Sequence, residues 1–221
     1  MPTWVSCRRS ILTALALAAG VVGLSAAYAA PAAPALLAPE PDPVPRRWQL
    51  DVKVGPLRLA QFKQADGSIQ RYFYLTYRVT NKTGEDLLFA PSFELATDQG
   101  EVIRSGRGVP LDVSRDIMTM LDNPWLEDQI SILGVLLQGD QNARDGLVIF
   151  KAGDLDITHL DIFASGFSGE VQTDAYTDPD TGKRVVVPLY KTLRVRYFTP
   201  GDVTARGPEP IDAFESTWVM R

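Results

Sequence analysis

The chain has 221 residues, of which 45% are hydrophobic and 22% charged, with a formal net charge of -5 and one cysteine. An acidic chain without a basic cluster is poorly suited to binding nucleic acid. One cysteine supports neither an internal disulfide nor a cysteine-ligated metal.

At the N-terminus, Arg8-Arg9 precedes an apolar, Ala-rich run from Ile11 to Leu24, and Ala27-Tyr28-Ala29 follows. A charged start, an apolar stretch and an A-x-A site form the pattern of a secretory signal peptide over residues 1–29, cut after Ala29. An uncleaved anchor fits less well, because the apolar run is short for a span of roughly 20 residues. The paired arginines allow twin-arginine export, and Sec export is the plainer reading. Cys7 stands ahead of the apolar run, so it is not a lipoprotein's acylated cysteine. Cleavage would remove Cys7 with Arg8 and Arg9, taking 22 basic residues to 20 against 27 acidic, a net charge of -7. The mature chain would be cysteine-free and would rest on its apolar core. Nothing after the signal reads as a membrane span. Residues 30–47, "APAAPALLAPEPDPVPRR", form a Pro/Ala-rich linker, extended rather than packed.

The domain is expected over residues 48–221. Trp48, Leu50, Val52 and Val54 alternate with polar residues, as a half-buried strand requires. Gly55-Pro56 interrupts the pattern, Leu57-Arg58-Leu59 resumes it, and Ala65-Asp66-Gly67-Ser68 reads as a hairpin turn. In the following strand Phe73, Leu75, Tyr77 and Val79 share one face, and Tyr72, Tyr74, Thr76, Arg78 and Thr80 the other. Asn81 to Asp86 is a turn. Leu87, Phe89, Phe93 and Leu95 continue with period two, and Pro91 marks an edge or a bulge. Asp98-Gln99-Gly100 turns the chain into Val102-Ile103.

From about 112 to 137 the pattern slows towards helical spacing, which predicts an α-helical insertion. Val113, Ile117, Met120 and Leu121 make one helical face. Asn123-Pro124 resembles a cap followed by proline in the first turn. Leu126, Ile130, Leu133 and Leu137 make the face of a second helix, which Gly134 could end or convert to a strand. Strands return at Leu147 to Phe150 and at Ile157 to Ala164. "TDPDTGK", residues 177 to 183, is a hairpin tip, and "RVVVPLYKTLRVRYFTPGD" and "FESTWVMR" supply the last strands. Short strands with regular turn signals predict a mainly β protein, an antiparallel β-sandwich, in one domain.

The segments "VTNKTGEDLLFAPSFELATDQGEV", "NPWLEDQISILGVLLQGDQNARDG", "HLDIFASGFSGE" and "KTLRVRYFTPGD" span most of residues 70 to 202. Through them the chain resembles an uncharacterised family of secreted planctomycete-type bacterial proteins. The resemblance implies an immunoglobulin-like sandwich and export, and brings no activity, cofactor or catalytic residue.

Candidate chemistry is sparse. His159 is the only histidine, and a triad or zinc site needs partners for it. Asp154, Asp156 and Asp161, and Asp174, Asp178 and Asp180, place carboxylates close together. Calcium would need several oxygens from one shaped loop, and Asx-turns explain the spacing as well. Two carboxylates across a cleft could hydrolyse glycosides. Tyr72 and Tyr74 could form a ligand face that stacks on sugar rings, or could pack against the helical insertion or a second sheet. Asn81-Lys82-Thr83 matches an N-glycosylation acceptor but is also ordinary turn chemistry. Trp125 reads as a core or staple residue. No catalytic residue, cofactor or metal is expected.

The leading expectation is an exported, non-enzymatic domain acting through contacts with an envelope or extracellular protein. A carbohydrate-binding module that takes a polysaccharide, and a carboxylate-dependent hydrolase, are the alternatives.

Overall fold

The computed structural model describes residues 48–64, 66–152, 157–199, 203 and 209–221. The signal segment with Ala29, the linker 30–47, and Asp154 and Asp156 lie outside them, as do Pro200, Gly201 and Asp202.

In chain order the elements are β1 (Asp51–Val54), β2 (Arg58–Lys63), β3 (Ile69–Thr80), β4 (Leu87–Phe89), β5 (Ser92–Thr97), β6 (Val102–Arg104), α1 (Leu111–Leu121), β7 (Leu126–Glu127), β8 (Gly134–Leu136), β9 (Arg144–Lys151), β10 (His159–Ser165), β11 (Val171–Thr177), β12 (Arg184–Phe198) and β13 (Ala213–Met220). The first sheet runs β1-β3-β9-β7, with β2 also on β3; the second runs β11-β12-β10-β5-β6, with β13 also on β12. All pairings are antiparallel except β7 on β9. The protein is mainly β, with two sheets sharing one core and a short helix.

The alternation in β3 explains the layering. Phe73, Leu75, Tyr77 and Val79 enter the core between the sheets, where they join Phe93 and Leu95 of β5, Leu160 and Ile162 of β10, and Leu193, Val195 and Tyr197 of β12. Tyr72 and Tyr74 point the other way, into a second cluster with Leu147 and Ile149 of β9 and Val113 and Ile117 of α1. The first sheet is therefore covered on both faces. That is why "LVIF" in β9 is a continuous apolar run rather than an alternating one.

The expected helical insertion holds only in its first half. In α1, Val113 and Ile117 are buried and Leu121 is half-buried, whereas Met120 is exposed. The helix stops where Asp122 adopts a left-handed φ of 46°. The second helix is absent. Asp128 Oδ1 accepts from the amides of Ile130 (2.7 Å) and Ser131 (2.9 Å), which closes a turn. Gly134 at φ 141° then opens β8. Of the expected face only Leu126 is buried; Ile130, Leu133 and Leu137 are exposed, and Ile132 and Leu136 go inside instead. Arg144 secures the turn, forking onto the Glu127 carboxylate (Nε to Oε1, 2.7 Å) and donating to the carbonyls of Ile132 (2.9 Å) and Ser131 (3.0 Å).

Pro91 separates β4 from β5. The chain leaves a small ribbon, β4 on β8, and enters the second sheet there.

Candidate functional site

Tyr72 and Tyr74 are not a ligand face. They are 2% and 3% exposed and lie in the cluster shared with Val113 and Ile117 of α1, so neither ring can stack on a sugar. Trp125 is likewise not a core residue: it is 79% exposed, and its amide is held by Asn123 Oδ1 at 3.0 Å. Asn81 is fully buried. Its Nδ2 donates to the carbonyls of Glu85 (2.8 Å) and Leu136 (2.9 Å), and its Oδ1 accepts from the Thr83 amide (3.1 Å) and hydroxyl (2.8 Å). A glycan has no access to that nitrogen.

His159 sits on the outer face of the second sheet, with its ring 5.1 Å from Phe198 and 6.4 Å from Phe214. Its amide is bonded by Asp98. Three of the candidate carboxylates, Asp161, Asp174 and Asp178, are also occupied. Asp161 receives Arg194 (Nε, 3.1 Å) and Arg196 (Nε, 3.2 Å). Asp178 Oδ1 accepts from the amides of Asp180 (2.8 Å) and Thr181 (3.2 Å), and this holds it below the usual carboxylate range. Asp174 accepts the Ala175 amide at 2.8 Å. The acidic tip of the β11–β12 hairpin is turn chemistry. Among the described residues, no group of three or more His, Cys, Asp or Glu is placed to hold a metal ion.

Two surfaces stand out. The first is the β11–β12 hairpin. The strands pair from Val171↔Tyr190 to Thr177↔Arg184, whereas β13 and β10 join β12 only from Lys191 and Leu193 onward. Val171 to Tyr190 is thus a two-stranded arm. Opposite residues share a face, so Ala175, Val186, Val171 and Tyr190 lie on one side, and Tyr176, Val185, Val187 and Leu189 on the other. Val171, Tyr176, Val186 and Tyr190 are each about half exposed.

The second surface is the outer face of the second sheet, where ionic and aromatic side chains alternate. Glu94 on β5 receives Arg104 of β6 at 3.2 Å and Arg221 at 2.8 Å. The Arg221 guanidinium lies 4.1 Å from the Phe163 ring centre. Arg221 is also locked to Tyr190 by two backbone hydrogen bonds, at 2.7 and 3.1 Å. Around these groups opens a cleft of about 470 Å³, lined by Glu94, Phe163, Ser165, Tyr190 and Arg221. A neighbouring cleft of about 420 Å³ is lined by Glu101, Arg104, Arg107 and Lys151. A sign of this face is legible in retrospect: Arg194 and Arg196 alternate outward in "RVRYF", opposite Asp161 and Phe163 in "HLDIF". Glu94 and Arg221 carry no such signal, because strand pairing alone brings them together.

No family model matches the chain, and no curated protein or solved structure matches it.

Proposed function

We propose that the chain is an exported, non-enzymatic β-sandwich domain that works by surface contact with a protein of the envelope or extracellular space. The observation that carries this reading is the β11–β12 arm. A two-stranded ribbon is marginal in water by itself, yet this one presents large apolar side chains on both faces. Its edges are blunted against pairing. Tyr190 turns its amide and carbonyl to Arg221, so Val186 and Pro188, in step with it, turn theirs to the same edge. Proline has no amide to offer there, and Asp174 occupies the Ala175 amide on the other strand. What remains available is the pair of faces, and burying them against a partner stabilises the arm.

The hydrolase alternative gains no support from Asp161, Asp174 and Asp178, whose oxygens are engaged, or from an exposed histidine beside Phe198 and Phe214. Export rests on Arg8-Arg9, the apolar run and Ala27-Tyr28-Ala29.

The test is co-purification from the source cell's envelope, with the full chain expressed in its host. Wild type should retain a defined protein saturably. Tyr176→Thr with Val186→Thr removes one apolar residue from each face and keeps strand propensity. It should lose that protein while unfolding at the same temperature. Equal retention by the variant, or none by wild type, would refute the reading. Sequencing the exported protein's N-terminus should give Ala30.

A further inference from the structure

We propose that the outer face of the second sheet, from Tyr190 and Arg221 to the β6 edge, binds an acidic polysaccharide, laid across the two neighbouring clefts. This goes beyond the protein contact assigned to the arm and shares with it only Tyr190, at the arm's root. The Glu94–Arg104 ion pair, 3.2 Å, links the two linings, since Glu94 lines the first cleft and Arg104 the second.

Charge supplies the first argument. Among the described residues, Arg104, Arg107, Lys151 and Arg221 line the clefts against Glu94 and Glu101, an excess of two positive charges on a chain whose net charge is -5. Among the described residues, Arg107 and Lys151 have no carboxylate partner. Such a local excess draws an anion to this place rather than to the surface at large.

Hydrogen-bonding chemistry supplies the second. In the first cleft, Glu94 is an acceptor, and Ser165 spends its hydroxyl proton on the Ser92 carbonyl, which leaves its oxygen lone pairs. These groups call for a ligand with donors, and a phosphodiester backbone has none. Arg221 is held by its ring stack, its ion pair and its two backbone bonds, so its remaining donors are pre-organised. Tyr190 adds a half-exposed ring at the same cleft. A sugar acid offers hydroxyl donors to Glu94 and Ser165, a flat ring face to Tyr190, and carboxylates to Arg107 and Lys151, so one repeating ligand satisfies both clefts.

The experiment is calorimetric titration of the exported chain with polygalacturonate and with alginate. Dextran serves as the neutral control, and polyglutamate and single-stranded DNA as charge-matched controls. Wild type should bind an acidic polysaccharide saturably, more weakly as salt rises, and should bind dextran, polyglutamate and DNA at least about tenfold less tightly. Arg107→Ser with Lys151→Ser should weaken binding about tenfold, and Tyr190→Ala should do the same with unfolding temperature unchanged. If Tyr190→Ala unfolds, Tyr190→Leu decides, keeping the bulk without the ring. Absence of binding to both acidic polysaccharides, equal binding to polyglutamate or DNA, or indifference to the loss of the Tyr190 ring would each overturn the proposal.

Discussion

The ring of Tyr77 lies across the backbone of Gly146. The two are direct partners in the β3–β9 ladder, and a Cβ at Gly146 would run into the Tyr77 ring and come within 2.6 Å of Ile132 Cδ1. Glycine is present for space here, not for a special backbone angle. Gly146→Ala should therefore overpack the core, costing about 2 kcal/mol and lowering the unfolding temperature by roughly 4–8 °C. In a Tyr77→Leu background the same substitution should cost much less, because the rigid ring is gone. Equal costs in the two backgrounds, measured by denaturant titration, would show that the ring is not what excludes the methyl group.

The tyrosines of the core predict the alkaline limit of the fold. Burial pushes the Tyr77 phenol far above its ordinary value, with Glu127 adding to the rise and Arg144 opposing it. Burial does the same at Tyr197, with help from Asp212, and Tyr197 also donates to the Gly55 carbonyl at 3.2 Å. Tyr72 and Tyr74 shift in the same direction, again through burial. In the unfolded chain a tyrosine ionises near about 10. The sign follows: the unfolded state loses its protons first, so this contribution is complete below about pH 10 and is lost as pH rises towards the folded values. Phenolate absorbance from these four residues should appear together with the loss of circular dichroism. If all the phenolate absorbance develops while the dichroism is still native, these rings are open to solvent and the packing is wrong.

What could be read from the sequence was what short-range pattern controls. The alternation from Phe73 to Val79 named the correct inward face, and the turn at Asn81 to Asp86 and the tip at 177 to 183 follow from residues adjacent in the chain. The alternation left two readings of Tyr72 and Tyr74 open, a ligand face or packing against the helical insertion; Val113 and Ile117, which arrive from a distant segment, decide for the packing. The second helix was misread for a local reason. Apolar residues at helical spacing point to a helix, but the Asp128 carboxylate takes the Ile130 and Ser131 amides for a turn. The clefts were hidden for the opposite reason: Glu94, Phe163, Tyr190 and Arg221 lie on separate stretches of chain that only the sheet order brings together.

Pro188 is predicted to keep the arm from sticking to itself. It interrupts "VVVPL" at a position whose backbone faces the same edge as Tyr190, and no described strand pairs with that edge between Arg184 and Leu189. Pro188→Val restores an amide and extends a β-branched run, which makes a template for edge pairing. The variant should associate, by light scattering, at concentrations where wild type does not. Pro188→Lys restores the amide but adds a charge, and should stay dispersed. If Pro188→Val behaves as wild type, the edge is protected by something other than the proline.

Asn81 should be among the most costly polar residues to remove. Its side chain makes three hydrogen bonds within the 81–86 turn and one to Leu136 of β8, and its backbone carbonyl accepts the Gly139 amide at 2.9 Å. Asn81→Ala leaves the Leu136 carbonyl without that buried donor and the Thr83 amide without its acceptor, and should cost about 2–3 kcal/mol. Asn81→Asp should be worse at neutral pH, since an ionised carboxylate has no proton for two carbonyls and would lie unpaired in a buried site. Thr83→Ala removes one hydroxyl contact and should cost only about 1 kcal/mol. That ordering, Asp worst, then Ala at 81, then Ala at 83, separates a structural asparagine from a glycan acceptor. An acceptor would tolerate all three changes in a host that does not glycosylate. In a host that does, mass spectrometry of the folded domain should find Asn81 bare; a glycan there on natively folded protein would mean that the turn opens far more readily than its hydrogen bonds allow.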